Sequence, residues 1–130
     1  MPLPTVVIAQ HDQSIAKGLA DELDLHFARV VVAESAEELP TLLQRHQARV
    51  AVLDTEIVNL NEVRQLAHSF DDLAIVCTHS SPDEKMWMAA LTAGAVEFCH
   101  PGDLRSILRA SSGVAKRRTD HTVGTHESIS

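Results

Sequence analysis

Arg49-Val50-Ala51-Val52-Leu53-Asp54-Thr55-Glu56 joins an unbroken apolar run to a carboxylate, a hydroxyl and a second carboxylate. An apolar run bounded by polar residues suits a strand buried on both faces, as in a parallel sheet covered by helices. Asp54 then stands at the strand's carboxyl end, the edge where open α/β sheets place ligands and chemistry. An aspartate there serves as nucleophile, metal ligand or turn cap, and this stretch leaves all three readings open.

On the amino-terminal side, Thr5-Val6-Val7-Ile8-Ala9 reads as a first buried strand closing on Gln10-His11-Asp12. Asp12 or Ser14 caps the next helix, with Ile15, Leu19, Leu23 and Phe27 at helical spacing. Val30-Val31-Val32-Ala33 is a second strand. Ser35-Ala36-Glu37-Glu38 has the capping-box pattern ahead of Leu39, Leu42 and Leu43, and Pro40 is tolerated near that helix's start. On the carboxyl side, Asn61 is the expected cap of a helix carrying Val63, Leu66 and Ala67, before a strand over Leu73-Ala74-Ile75-Val76-Cys77 that ends in Thr78-His79. Ser81-Pro82-Asp83-Glu84 signals a fourth helix start, and Gly94 its C-cap. Ala95-Val96-Glu97-Phe98-Cys99 is a last strand, and after His100-Pro101-Gly102, Asp103 caps a helix with Leu104, Ile107 and Leu108 inward. Strands and helices alternating through short turns predict a five-stranded, doubly wound parallel α/β sheet with helices on both faces. The apolar pattern stops at Gly113, so residues 1–112 form the expected domain and 113–130, with Lys116-Arg117-Arg118, an expected disordered tail.

At 130 residues and 45% hydrophobic content, the chain has enough core for one domain. A net charge of −7 disfavours nucleic acid or an anionic membrane as partner of this domain, because either would repel it. Cys77 and Cys99 lie in apolar runs without metal-type spacing and read as reduced thiols of a cytoplasmic protein. No apolar run approaches membrane-spanning length and no export signal opens the chain. The first strand is followed by no glycine-rich phosphate loop, which disfavours a nucleotide or flavin enzyme.

From about Thr5 to Ala110 the chain resembles the receiver domain of two-component response regulators, of the CheY-like superfamily. Asp54 falls where that family places its phosphoacceptor. Thr78 matches the switch hydroxyl and Phe98 the switch aromatic. Ala93-Gly94-Ala95 matches the turn into the fifth strand, and Ile57-Val58-Asn59-Leu60-Asn61 is a worn version of the loop after the acceptor. The resemblance implies a flavodoxin-like strand order 2-1-3-4-5 and no enzymatic turnover of its own. It further implies a role in a signal-transducing phosphorelay with a histidine kinase or other signalling protein as partner. It departs from the family in the acidic pocket: Gln10 and His11 stand where two acids hold Mg²⁺, Asp12 follows one residue late, and His100 replaces a lysine in a shortened loop. Phosphoryl transfer to a carboxylate brings anions together and depends on a cation across them. Imidazole is a poor ligand for Mg²⁺. The expectation is therefore a degenerate pocket of Gln10, His11, Asp12, Glu56, His79 and His100 around Asp54. Mg²⁺ would be bound weakly or not at all, through Asp12 and Asp54. Weak phosphorylation of Asp54 stands beside the alternative of a pseudo-receiver, a phosphorylation-independent protein-interaction module.

The resemblance makes His11, His79 and His100 converge near Asp54, either as ligands of a transition metal or as space-filling hydrogen-bond partners of the carboxylates; the second is the expectation, because their spacing matches no recognised ligand motif. Met86, Trp87 and Met88 are consecutive, and at about 100° per residue they cannot share one buried face. With Met86, Ala89, Ala90 and Ala93 inward, Trp87 and Leu91 pair on the outside. The resemblance makes that surface of the fourth helix, with the fifth strand and fifth helix, a candidate homodimer or partner interface.

Overall fold

Every strand expected from an apolar run is present in the computed structural model, which describes residues 3–112. The strands are β1 (Leu3–Ala9), β2 (Phe27–Val32), β3 (Val50–Asp54), β4 (Ala74–Thr78) and β5 (Glu97–Cys99). Between them lie α1 (Gln13–Leu23), a 3₁₀ turn (Ala36–Glu38) leading into α2 (Leu39–Arg45), α3 (Leu60–Ser69) and α4 (Glu84–Ala93). A last helix, α5, occupies 104–112. The expected tail over 113–130 lies outside the described residues. All pairings are parallel and the strand order is 2-1-3-4-5.

The alternation of side chains along β3 divides the core. Ala51 and Leu53 pack into a layer with Leu39, Leu43, Val63, Leu66, Ala90 and Ala93, under α2, α3 and α4. Val50 and Val52 face Leu19, Leu23 and Ile107, under α1 and α5. Every residue of β3 is buried, as is every residue of β4, so the two strands are apolar throughout until their last residues. Register then fixes the edge: Ala9 pairs with Leu53 and Asp54 with Thr78. Asp54 and Thr78 thus leave the sheet side by side.

Several boundaries differ from the sequence expectation. Phe27 belongs to β2, not α1; the helix ends at Leu23 because His26 turns the chain, its N–H donating to the Leu23 carbonyl at 2.9 Å. Its helical spacing from Leu23 arises because both side chains pack into the same apolar layer. Asn59, not Asn61, caps α3. Its side chain accepts from the Glu62 N–H at 2.9 Å while Glu62 accepts from the Asn59 N–H, a reciprocal capping box. Asp83 rather than Ser81 caps α4, accepting from the Met86 N–H at 2.8 Å, which leaves Pro82 outside the helix. β5 begins at Glu97, two residues later than the apolar run. Gly94 ends α4 with φ 117°, and a Cβ there would stand 2.7 Å from Ala67 Cβ on α3. Glycine is needed both for the left-handed turn and for the approach of the two helices.

On α4, Ala90 and Ala93 are buried and Met86 and Ala89 half-buried, as expected of the inward stripe. Trp87 is 42% exposed and Met88 58%, while Leu91 is half-buried. No helix among the described residues is long and apolar enough to cross a membrane.

Candidate functional site

The carboxyl edge of the sheet gathers the chemistry. Asp54 is 1% exposed, and each of its oxygens is held. Oδ1 accepts from the Glu56 N–H at 2.8 Å. Oδ2 accepts from the His11 N–H at 2.8 Å and also from His11 Nδ1. A carboxylate offers only acceptors, so the imidazole carries its proton on Nδ1 in this contact. The His11 side chain remains 35% exposed and its Nδ1 lies 3.8 Å from Glu56 Oε2. The bond to Asp54 raises the His11 pKa above 6.5; desolvation opposes it, and the charges of Asp54, Glu56 and Asp12 reinforce it.

Thr78 is the second buried polar group. Its hydroxyl accepts from Gln10 Nε2 at 3.0 Å, and its carbonyl accepts from both the N–H and the hydroxyl of Thr55, at 2.9 and 3.0 Å. Gln10 continues β1 directly after the residue paired with Leu53. To reach Thr78 on β4 its side chain crosses the end of β3, beside Asp54. Gln10 is 8% exposed, and its Oε1 has no hydrogen-bond partner.

The other expected members of the pocket are placed elsewhere. The exposed carboxylate of Asp12 accepts from the N–H groups of Ser14 and Ile15 at 2.8 and 3.2 Å, so it caps α1 and does not turn toward Asp54. His79 and His100 turn back on their own loops. Nδ1 of His79 accepts from the Ser81 N–H at 2.9 Å, and Nδ1 of His100 from the Gly102 N–H at 2.8 Å. His100 lines a recess against Ile15 and Leu19 of α1. Of the three histidines, His11 alone has a hydrogen bond to Asp54. Phe98 is buried beside Cys77 in the layer under α2–α4. One contributor was not expected: Ser80, whose hydroxyl donates to Glu56 Oε2 at 3.0 Å. Its sequence context, a serine before Ser81-Pro82, signals only a helix start.

Three groups could hold a cation. Donor atoms of His11, Asp54 and Glu56 all lie within 4.8 Å of one another. The donor set fits Mg²⁺ poorly, since Mg²⁺ demands hard oxygens in near-octahedral order and one of the three donors is an imidazole. Asp12, the remaining nearby acid, is committed to its helix.

A parallel sheet in order 2-1-3-4-5, with a buried carboxylate and a hydroxyl paired at its carboxyl edge, defines a receiver-type α/β domain. The fold is that of the receiver domains of response regulators. It is similar to a response regulator from Thermotoga maritima, at 22% identity and TM-score 0.74 over 88% of this chain and 98% of that one. An orphan response regulator of H. pylori is 16% identical at TM-score 0.68, covering 88% of this chain and 93% of that one. A response regulator from Burkholderia pseudomallei, solved with a phosphorylated aspartic acid and a calcium ion, is 18% identical at TM-score 0.73, covering 92% and 74%. No protein-family model matches the chain, and no curated protein sequence matches it significantly.

Proposed function

We propose that this chain is a cytoplasmic signalling receiver module of a two-component phosphorelay, with Asp54 as phosphoacceptor and with acceptance slowed by His11. The observation that carries the reading is the register of β3 on β4, which sets a buried carboxylate beside a hydroxyl at the sheet's carboxyl edge. In the reaction, an Asp54 oxygen attacks the donor's phosphorus, the bond to the donor breaks, and an acyl phosphate results. Thr78 is the group on this chain suited to donate to a phosphoryl oxygen, once its hydroxyl leaves Gln10. The B. pseudomallei regulator carries such a phosphorylated aspartic acid. Here the acceptor oxygen must first release the His11 imidazole, and His100 stands where the resemblance places the lysine that offsets charge. Labelling is therefore slow and incomplete, and Mg²⁺ assists it weakly. The module changes its partners rather than turning over a substrate: its kinase docks near the pocket, and the Trp87–Leu91 face of α4, with β5 and α5, carries self-association or output, with Phe98 as switch. Exposure to a small phosphodonor with Mg²⁺ followed by intact-mass measurement tests this. A partial 80 Da adduct (the mass of one HPO₃), absent from Asp54→Asn, is expected. No adduct after prolonged exposure overturns it.

The contacts of Gln10 and His11 favour a second reading. They occupy the switch hydroxyl and the acceptor together, a closed network suited to a pseudo-receiver that binds partners in one fixed state. Under that reading partner affinity is the same for wild type and Asp54→Asn, with or without phosphodonor.

A further inference from the structure

The helices over one face of the sheet are not evenly packed. α3 and α4 approach so closely that a Cβ at Gly94 would stand 2.7 Å from Ala67 Cβ, whereas α2 and α3 leave a groove of ≈ 290 Å³ between them. Buried Leu39 and Leu66 form its floor, half-buried Phe70 and exposed Pro40 its apolar walls, and Glu37 and Glu62 its rim. We propose that the basic run Lys116-Arg117-Arg118 of the same chain docks in this groove, with Val114 and Ala115 against the apolar wall.

Charge and reach both point to this occupant. Nowhere else in the chain are two cations adjacent. The run faces a domain, residues 1–112, that holds 8 of the 11 Lys and Arg but 16 of the 18 Asp and Glu. No described Lys or Arg lines the groove. Its acids are Glu37, which is exposed, and Glu62, whose Oε1 accepts from the Asn59 N–H and is thereby fixed at the start of α3. The acids at the end of α1 sit instead on an exposed helix face, where Asp21 is already paired with Lys17 at 3.9 Å.

Helices that cross between parallel strands run back toward the amino edge of the sheet. α5 therefore delivers residue 112 to that edge, as α3 delivers Ser69 and Phe70 at the groove's near end; the Phe70 carbonyl accepts from the Leu73 N–H just before β4. From α5 the chain must pass to the opposite helical layer, a distance on the order of 20 Å. At about 3.3 Å per residue, the chain from 112 to Lys116–Arg118 spans roughly 13–20 Å. Exposed ion pairs are individually weak. Tethering offsets this, because a short link holds the run at an effective concentration in the millimolar range.

None of the groove's residues belongs to the site at Asp54, and the test uses no phosphodonor, so this docking and the receiver reading fail separately. The full chain at low micromolar concentration is treated with a carbodiimide, which joins a carboxylate to an amine as an amide with loss of water, and its peptides are weighed. Lys17, Lys85 and Lys116 are the only lysines, so links to the run are read directly. The expected product is an amide from Lys116 to Glu37 or Glu62 within one chain, its yield several-fold lower in about 0.5 M than in about 0.05 M salt. In ¹H–¹⁵N spectra, Lys116→Glu with Arg117→Glu and Arg118→Glu shifts the amide signals of Glu37, Leu66 and Phe70. The same triple change shifts them far less in a Glu37→Gln, Glu62→Gln background, where glutamine keeps the capping bond. Amides from Lys116 only to acids of α1, groove signals unmoved by the triple change, or amides joining ¹⁵N to ¹⁴N chains in a mixed sample, which would seat a second copy there, overturn the proposal.

Discussion

Asp54 is approached from two sides that differ in kind. From the sheet, β3 and β4 bring it beside Thr78 through backbone pairing, in two strands with no exposed residue. From the β1–α1 loop, Gln10 and His11 reach the same two groups through side chains alone. The sheet side is rigid because moving it would break a ladder and two apolar layers. The loop side is held by a few polar contacts and is where this chain departs from the receivers it resembles. Register sets a carboxylate beside a hydroxyl; loop chemistry decides what they meet.

The sharpest break of that contrast is Asp54→Ala, which removes the point where both sides meet. It leaves the N–H groups of His11 and Glu56 without their acceptor in a half-buried place, at a cost of about 1–3 kcal/mol. Urea denaturation reads the loss, and a shift within error would show that the loop, not the carboxylate, sets local stability. Phosphoryl labelling vanishes in the same variant.

A change confined to the loop side should alter chemistry more than stability. Gln10→Asp with His11→Asp supplies two hard oxygen donors, so Mg²⁺ affinity and the rate of labelling both rise, each on the order of tenfold or more. If the double variant still binds no Mg²⁺, the placing of Gln10 and His11 at the acid-pair positions is at fault.

On the sheet side, Thr78→Val keeps shape but strips Gln10 of its partner. Leaving that buried amide bare costs about 1–2 kcal/mol. The corresponding Gln10→Leu removes the amide together with its bare Oε1 and leaves only the Thr78 hydroxyl without its donor, so it should cost less, which a thermal melt of the two variants compares.

The loop contact also carries a pH signature. The His11 pKa is raised in the fold, so its stabilisation is fully present below the unfolded value of ~6.5 and fades as pH climbs through the folded one. Wild type and His11→Gln, denatured in chelator from about pH 5.5 to 8.5, should therefore converge at the alkaline end. Curves that stay parallel would remove the ion pair from the account. The smallest effect on folding is expected far from both sides: Trp87→Ala, on a half-exposed side chain, leaves the melt nearly unchanged. It weakens self-association in sedimentation or partner binding if the α4 face carries the output.

Much of this was legible in the residues. The alternation of short apolar runs with capped helices dictates a parallel, doubly wound sheet, because runs apolar on both faces can be buried only between two helical layers. The position of Asp54 follows as well, since the run that buries β3 ends at that residue. Helix starts were less legible: Asn59 and Asn61 are both able caps, and Glu62, three residues after Asn59, was the signal that separates them. What the tertiary structure decided was which side chains meet. Asp12 and His11 are neighbours in sequence, yet one caps a helix and the other bonds Asp54, because the bend between β1 and α1 points consecutive side chains in different directions. His79 and His100 fall in loops on the same edge and still turn back to their own backbones, where a nearby N–H is the closer partner. A strand's position follows from local hydrophobic pattern, but a loop side chain chooses among partners that only the assembled fold brings within reach.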